Sequence, residues 1–369
     1  MTAHISDACQ RLPLWFCVAC AWVLGCSPSW GQDIPWHLGR LDGAQSAPSA
    51  IHTAGLPPGP HPMVVAVIDS GVIASHPSLA GRLLPGYDMV SARHNLRLGR
   101  SSNFSPDERD ARCGDRLMSG TFRTHGTEVA SLIAGNGVDG VLGVNPGAHI
   151  VPVRLFGACA TSRQDLLDAI AWAAGFPVPD VPDNPHPARV INLSLSGGFS
   201  TCGDDLQRLI QRVVDKSIFV VSAAGNNFQK ALQEPSNCKG VISVGALDAH
   251  NRIAPYSALD PRTVVYAPGG GPPLTGKEDW SVNKLKVASY ETNFIGQDRP
   301  SHSYRGVGTS YAAPIVAGFI SLWLSHHPAK NTADFLAEMD RFSRLVEPVA
   351  ACGQCVPRGL AGGHDLRAF

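Results

Sequence analysis

The chain has 369 residues, with 30 Lys or Arg and 30 Asp or Glu, so its formal net charge is zero. Because there is no basic excess and no run of Lys or Arg, nothing in the sequence indicates a nucleic-acid-binding surface, and no nucleic-acid partner is expected. Charged residues make up 16% of the chain and hydrophobic residues 44%, a composition that supports a large buried core in one or two domains.

The first 31 residues have the layout of an export signal. Leu12–Cys26 is an uncharged apolar run that is shorter than the roughly 20 residues of a membrane-spanning helix. It follows Arg11 and is itself followed by small residues, as in a secretory signal peptide. We therefore predict a signal peptide over residues 1–31 and an exported protein.

The end of the apolar run leaves two mature forms open. Gly25-Cys26 and the residues before it resemble a bacterial lipobox, which predicts cleavage after Gly25 and a lipid anchor on Cys26 in the outer membrane. Leu24 is bulkier than the residue usual there, and cleavage near Gly31 would instead give a secreted or periplasmic protein. In both cases residues 32–61 are predicted to be a linker, because they show no helical or strand period.

From Met63 onward, short apolar runs alternate with helical patterns. The strand patterns cover residues 63–69, 149–156, 189–198, 218–227 and 240–248. The helical patterns cover residues 125–135, 162–175 (with Ser162 as its N-cap), 204–217 and 312–327. This alternation predicts an α/β fold with a mostly parallel central sheet and helices on both faces. Ligand chemistry in such folds lies at the carboxyl ends of the strands.

Four polar residues stand at the ends of predicted strands or near the starts of predicted helices: Asp69, His125, Asn226 and Ser310. Each alone is explained as a turn residue or a helix cap. Together they supply what acyl transfer requires. A serine nucleophile needs a histidine base, the base needs a carboxylate to orient it, and the developing oxyanion needs a donor such as an Asn amide.

The segments that carry these residues resemble the signature blocks of the subtilisin-like serine proteases, the subtilases, in the same order along the chain. The blocks are VIDSGV (67–72), HGTEVASLIAG (125–135), INLSLSGG (191–198), VVSAAGN (220–226) and GTSYAAP (308–314). The resemblance runs from about residue 62 to about residue 330. It implies a subtilisin-like three-layer sandwich over residues 62–345, followed by a C-terminal extension over residues 346–369.

The resemblance also implies a role for each residue of the set. Ser310 would attack the scissile carbonyl, and His125 would act first as base and then as acid. Asp69 would orient His125, while the Asn226 side chain and the Ser310 N–H would hold the oxyanion. The implied substrate-binding edge consists of Ser194, Leu195, Ser196 and Gly197. The expected protein is a monomeric serine endopeptidase that acts on polypeptides and requires no cofactor.

The chain departs from the family pattern near His125 and at a calcium site. Glu128 stands where the family usually has a second histidine, and Ser131 stands where it has a glycine. Ser78 and Gly137 replace two oxygen ligands of the common calcium site, so we predict that this site is lost and assign no metal ligands. An acidic insert within residues 88–120 leaves calcium binding open; its carboxylates are Asp107, Asp110 and Asp115.

Six cysteines lie outside the leader, an even number that suggests three disulfides in an exported protein. Four of them resemble, in their places, the cysteines of secreted subtilases from Gram-negative bacteria. These four are Cys113, Cys159, Cys202 and Cys238. The predicted pairs are Cys113–Cys159, Cys202–Cys238 and Cys352–Cys355. Zinc at Cys352-x-x-Cys355 is the alternative, but no second Cys pair or nearby His pair completes such a site.

Two other functions compete with the peptidase. A catalytically idle binding protein with the subtilase fold would be expected to lose at least one of the four groups, and none is lost. An esterase with the same triad would be expected to carry the G-x-S-x-G elbow, whereas the sequence around Ser310 is Gly-Thr-Ser-Tyr-Ala.

Overall fold

A parallel β-sheet forms the centre of the domain. The structure, a computed structural model, describes residues 35–39, 53, 56–92, 99–106, 121–157, 161–228, 231–271, 284–292, 298–345 and 358–360. Within these residues the main sheet has nine strands, in the spatial order β10-β11-β7-β6-β5-β4-β1-β3-β2. Its strand pairs are parallel except for the antiparallel pair β10–β11 at one edge.

The strands of this sheet are short and mostly buried. They are β1 (Val64–Asp69), β2 (Tyr87–Asp88), β3 (His149–Arg154), β4 (Val190–Leu193), β5 (Phe219–Ala223), β6 (Val241–Leu247), β7 (Val265–Pro268), β10 (Ser343–Leu345) and β11 (Arg358–Leu360). Strands β4 to β7 are buried at every position. Continuous apolar runs of this kind are typical of parallel strands covered by helices on both faces.

Five α-helices of the described residues cover the sheet. They are α1 (Thr121–Ala134), α2 (Arg163–Ala173), α3 (Asp204–Asp215), α4 (Thr309–His326) and α5 (Thr332–Phe342). Helices α2 and α3 pack with the sheet in one apolar cluster, and α1 and α4 contact each other as well as the sheet. The result is the three-layer α/β architecture that the sequence predicts.

Helix α4 is the most buried helix, because it runs through the interior of the domain. Every residue from Tyr311 to Ser325 is buried. Its last turns join an aromatic cluster in which the Trp323 ring lies 5.5 Å from Phe335 and 6.3 Å from Phe219, between ring centroids. The sequence predicts this helix from residue 312, whereas the structure begins it at Thr309. Ser310 is therefore inside the first turn.

An antiparallel hairpin outside the main sheet is absent from the sequence prediction. It is formed by β8 (Leu285–Thr292) and β9 (Asp298–Gly306). Ser131 of α1 holds it, since the Ala288 N–H donates to Ser131 Oγ at 3.0 Å. His76 also holds it, because its Nε2 lies 3.2 Å from Ser289 O and 3.0 Å from Ser301 O.

Parts of the two segments predicted to flank the domain are packed onto it. In the predicted linker, Trp36 Nε1 donates to Lys284 O at 2.9 Å, and Leu38 is fully buried. In the predicted C-terminal extension, β11 lies between β10 and β7 in the main sheet. The predicted signal peptide and Cys26 lie outside the described residues. No helix of the described chain has both the length and the apolar character needed to cross a membrane.

One disulfide joins two loops of the domain. Cys202 and Cys238 are bonded, with Cα atoms 5.0 Å apart, as the sequence predicts. Cys202 directly precedes Gly203, the N-cap of α3. The other two predicted pairs, Cys113–Cys159 and Cys352–Cys355, lie outside the described residues.

We predict that the double variant Cys202→Ser/Cys238→Ser is less stable than the wild type by about 3–4 kcal/mol, because the bond closes a loop of 36 positions. Urea unfolding without reductant measures the loss. Reductant serves as the control, because the wild type and the double variant should have the same unfolding midpoint once all disulfides are reduced. Equal unfolding midpoints for the two proteins without reductant would contradict the prediction.

Candidate active site

The four polar residues singled out in the sequence lie at the carboxyl edge of the sheet or on helices that begin there. Asp69 is the last residue of β1, and Asn226 follows the end of β5 by three residues. His125 lies in the second turn of α1, and Ser310 is the second residue of α4. Because parallel strands end on one side of a sheet, these positions converge there.

Asp69 and His125 are joined directly. His125 Nδ1 lies 2.8 Å from Asp69 Oδ1 and 3.0 Å from Asp69 Oδ2. Asp69 is 1% exposed and also accepts the Ser70 N–H at 2.7 Å. Since an ionised carboxylate only accepts hydrogen bonds, Nδ1 carries the proton in the neutral imidazole. The Nε2 lone pair of that tautomer is the one that can take up a proton.

The charges around His125 favour its protonated form. Burial alone would lower the pKa of His125, but the charge of Asp69, the hydrogen bond to Asp69 and the charge of Glu128 together raise it above its usual value. Loss of either carboxylate would therefore lower the pKa of the imidazole.

Helix α1 comes close to the loop after β1, which is why His125 reaches Asp69. A Cβ on Gly126 would lie 2.2 Å from Gly71 O, so a side chain at this position would force the two segments apart. The Gly126 N–H donates to Ser70 Oγ at 3.1 Å, across the same approach. The glycine after the histidine is therefore a requirement of this contact.

The start of α4 presents Ser310 in a fixed position. Gly308 has φ +150°, and a Cβ there would lie 3.2 Å from Asn226 Nδ2. Pro314 has no N–H, so it cannot bond the Ser310 carbonyl four residues earlier in the helix. That carbonyl instead accepts from Ser194 Oγ at 2.7 Å. Because of the proline, the Ser310 carbonyl is free to join α4 to the segment after β4.

Thr309 orients the Asn226 side chain. Asn226 Oδ1 accepts from the Thr309 N–H and from Thr309 Oγ1, both at 2.9 Å. Thr309 Oγ1 in turn accepts the Gly225 N–H at 3.1 Å. Because the amide oxygen is held by two donors, the Nδ2 donor group is directed away from them. Thr309 is not among the four residues that the sequence singles out, although it is a hydroxyl residue directly before Ser310.

A cleft of about 470 Å³ connects most of these residues. It contains His125, Asn226 and Ser310 together with part of the predicted substrate-binding edge, namely Ser194, Leu195 and Ser196. Gly197 does not line the cleft, and its N–H donates to Glu234 O at 2.9 Å. Asp69 lies behind His125, buried from the cleft.

The described residues contain no group of three or more His, Cys, Asp or Glu side chains close enough to hold a metal ion. Ser78, at one position of the family calcium site, is buried, and its Oγ lies 2.7 Å from His76 Nδ1. The acidic insert residues Asp107, Asp110 and Asp115 lie outside the described residues.

The profile of the subtilase family matches residues 61–341 of this chain. The chain belongs to the subtilase family. This subtilase is 36% identical over 82% of its length to an extracellular basic protease of Dichelobacter nodosus. It is also 36% identical, over 79% of its length, to an extracellular protease of Xanthomonas campestris.

The solved structure of a protease from Pseudoalteromonas arctica has the same fold as this subtilase. The TM-score is 0.72 at 30% sequence identity, with 91% of this chain and 97% of that chain covered. The curated relatives are longer, since the matched region is 49% of the length of the Dichelobacter protein and 49% of the Xanthomonas protein. The chain thus spans about half the length of the relatives it matches.

We predict that Thr309→Val lowers kcat by about tenfold, the rate equivalent of one hydrogen bond, with KM unchanged. The Asn226 amide would lose one of its two donors from Thr309 and adopt alternative orientations. Steady-state kinetics on a short peptide substrate measures both constants. Thr161→Val is the matched control, because the Thr161 hydroxyl donates to Ser162 O rather than to a residue of the cleft. An unchanged kcat for Thr309→Val would contradict the role given to Thr309.

Proposed function

We propose that this subtilase is an exported serine endopeptidase that hydrolyses peptide bonds in polypeptides, with Asp69, His125 and Ser310 as its catalytic triad. The observation that carries the proposal is the hydrogen-bonded pair of Asp69 and His125 beside a cleft that also contains Ser310. Each of these groups fits one role in acyl transfer, and the family to which the chain belongs supports the same roles.

In the proposed mechanism, Ser310 Oγ attacks the scissile carbonyl while His125 Nε2 accepts its proton. Asp69 keeps Nδ1 protonated and stabilises the imidazolium that forms. His125 then donates the proton to the leaving amine, and an acyl group remains on Ser310. Water attacks that acyl group in a second step, in which His125 again acts as base and then as acid.

The negative charge of each tetrahedral intermediate needs donors that are already in place. We assign this role to Asn226 Nδ2, because two bonds from Thr309 hold the oxygen end of the same amide. The Ser310 N–H is the second donor, since N–H groups in the first turn of a helix lack partners within the helix. The positive end of the α4 dipole favours the same charge.

We propose that the extended substrate binds along the segment after β4. Ser194 Oγ bonds the Ser310 carbonyl, so the proposed substrate edge and the nucleophile are fixed relative to each other. Among the described residues that line the cleft, His125 is the one titratable group. A neutral substrate side chain therefore suits this cleft better than a charged one, because burying an unpaired charge is costly.

Export is supported by the apolar leader and by the relatives that are named extracellular proteases. Cleavage after Gly25 would give an enzyme anchored through Cys26, and cleavage near Gly31 would give a secreted or periplasmic enzyme. Both forms are compatible with the proposed activity. We further propose that the enzyme acts as a monomer without a required cofactor. Calcium binding by the acidic insert would not be required for this activity.

We predict that Ser310→Ala and His125→Ala each reduce kcat by a factor on the order of 10⁶, the value known for subtilisin, a member of the same family. Hydrolysis of casein and of a short peptide measures the loss. Two exposed residues provide matched controls, Ser102→Ala and His250→Ala, which should retain full activity. A catalytically idle binding protein would show no hydrolysis in the wild type, and retention of more than a few per cent of activity in Ser310→Ala would reject Ser310 as the nucleophile.

A further inference from the structure

Glu128 is a buried carboxylate for which the proposed mechanism has no use. It lies on α1 three residues after His125 and is fully buried. Thr124 Oγ1 donates to its Oε1 at 2.7 Å, and the Tyr311 hydroxyl donates to its Oε2 at 2.5 Å. Both of these donors are neutral hydroxyl groups. The two bonds therefore bring no positive charge to the carboxylate.

Tyr311 connects this carboxylate to the catalytic residues. It directly follows Ser310 in the first turn of α4 and is 8% exposed. Its ring lies against the imidazole of His125, with the ring centroids 5.5 Å apart and the ring planes at 67°. The hydroxyl of the same ring is held by Glu128. The same side chain thus contacts both Glu128 and His125.

The charged and titratable groups around His125 come from three elements. Asp69 faces it from β1, Glu128 from α1 and Tyr311 from α4. Lys286 is a buried cation on β8, the strand that packs against α1, but it does not contribute to the raised pKa of His125. The two carboxylates both favour the imidazolium, and burial opposes it. The negative charge of Glu128 therefore adds to the effect of Asp69.

We propose that Glu128 and Tyr311 are positioning residues for His125: Tyr311 fixes the imidazole by ring contact, and Glu128 holds Tyr311 and supplies a second buried negative charge. This inference rests on the proposed role of His125 as the catalytic base. The usual family residue at position 128 is a histidine, which cannot supply the same charge. Glu128 therefore distinguishes this chain from the common family pattern.

Replacement of the carboxylate tests the charge. Glu128→Gln keeps the size and an acceptor oxygen but removes the charge, so the pKa of His125 should fall. We expect the acid limb of the pH profile of kcat/KM to move to lower pH. The matched control is Asp260→Asn, because Asp260 is also a buried carboxylate but does not contribute to the raised pKa of His125. Its acid limb should coincide with that of the wild type.

Removal of the hydroxyl tests the positioning. Tyr311→Phe keeps the ring but loses the bond to Glu128, and we expect kcat to fall by about tenfold with KM unchanged. An acid limb of Glu128→Gln that coincides with the wild type would overturn the electrostatic part of the proposal, and an unchanged kcat of Tyr311→Phe would overturn the positioning part. If Glu128→Gln does not fold, Glu128→His, which also removes the negative charge, replaces it in the pH profile with the same expected direction of shift, and Tyr311→Phe still tests the positioning part.

Failure of this inference is distinguishable from failure of the proposed function. Ser310→Ala in the same assay tests the catalytic roles without reference to Glu128. If Ser310→Ala loses activity and the acid limb of Glu128→Gln is unshifted, the proposed triad is supported and the electrostatic role of Glu128 is rejected. Activity retained in Ser310→Ala would reject both.

Discussion

The contact on which the site depends is the pair of hydrogen bonds between Asp69 and His125. It joins the carboxyl end of β1 to α1, two elements that are separated by 56 positions between these residues. A buried carboxylate is costly unless its oxygens are bonded, and here the imidazole and the Ser70 N–H satisfy them. The same bonds fix which nitrogen of His125 is protonated. This one contact therefore joins two elements of the fold, satisfies a buried carboxylate and sets the tautomer of His125.

The parallel core could be predicted from the sequence because each central strand is a continuous apolar run that ends at the same edge. That rule also predicts that Asp69 and Asn226 converge, since each follows such a run. The β8–β9 hairpin could not be predicted in this way. Its strands mix charged and apolar residues, and its contacts to His76 and Ser131 come from distant parts of the chain. The insertion of β11 beside β7 is equally non-local.

The residues that support the four proposed catalytic groups are harder to predict from the sequence than the groups themselves. Thr309 acts on Asn226 across 83 positions, and Glu128 bonds Tyr311 across 183 positions. Thr309 directly precedes Ser310, and Glu128 follows His125 by three positions. The local sequence does not indicate that their side chains bond Asn226 and Tyr311. Pro314 is similar, because its effect is to leave a carbonyl free for Ser194. The sequence predicts the reacting groups, and the three-dimensional packing determines how they are held.

The central claim is that Ser310 is the nucleophile activated by His125, and reaction with a serine-directed fluorophosphonate tests it most directly. The wild-type protein would be incubated with the probe at several pH values, and the modified residue identified by peptide mass spectrometry. We predict one modified residue, Ser310, with a labelling rate that falls as His125 becomes protonated at low pH. Modification of a different residue in an active preparation, or labelling of Ser310 that His125→Ala leaves unchanged, would contradict this account.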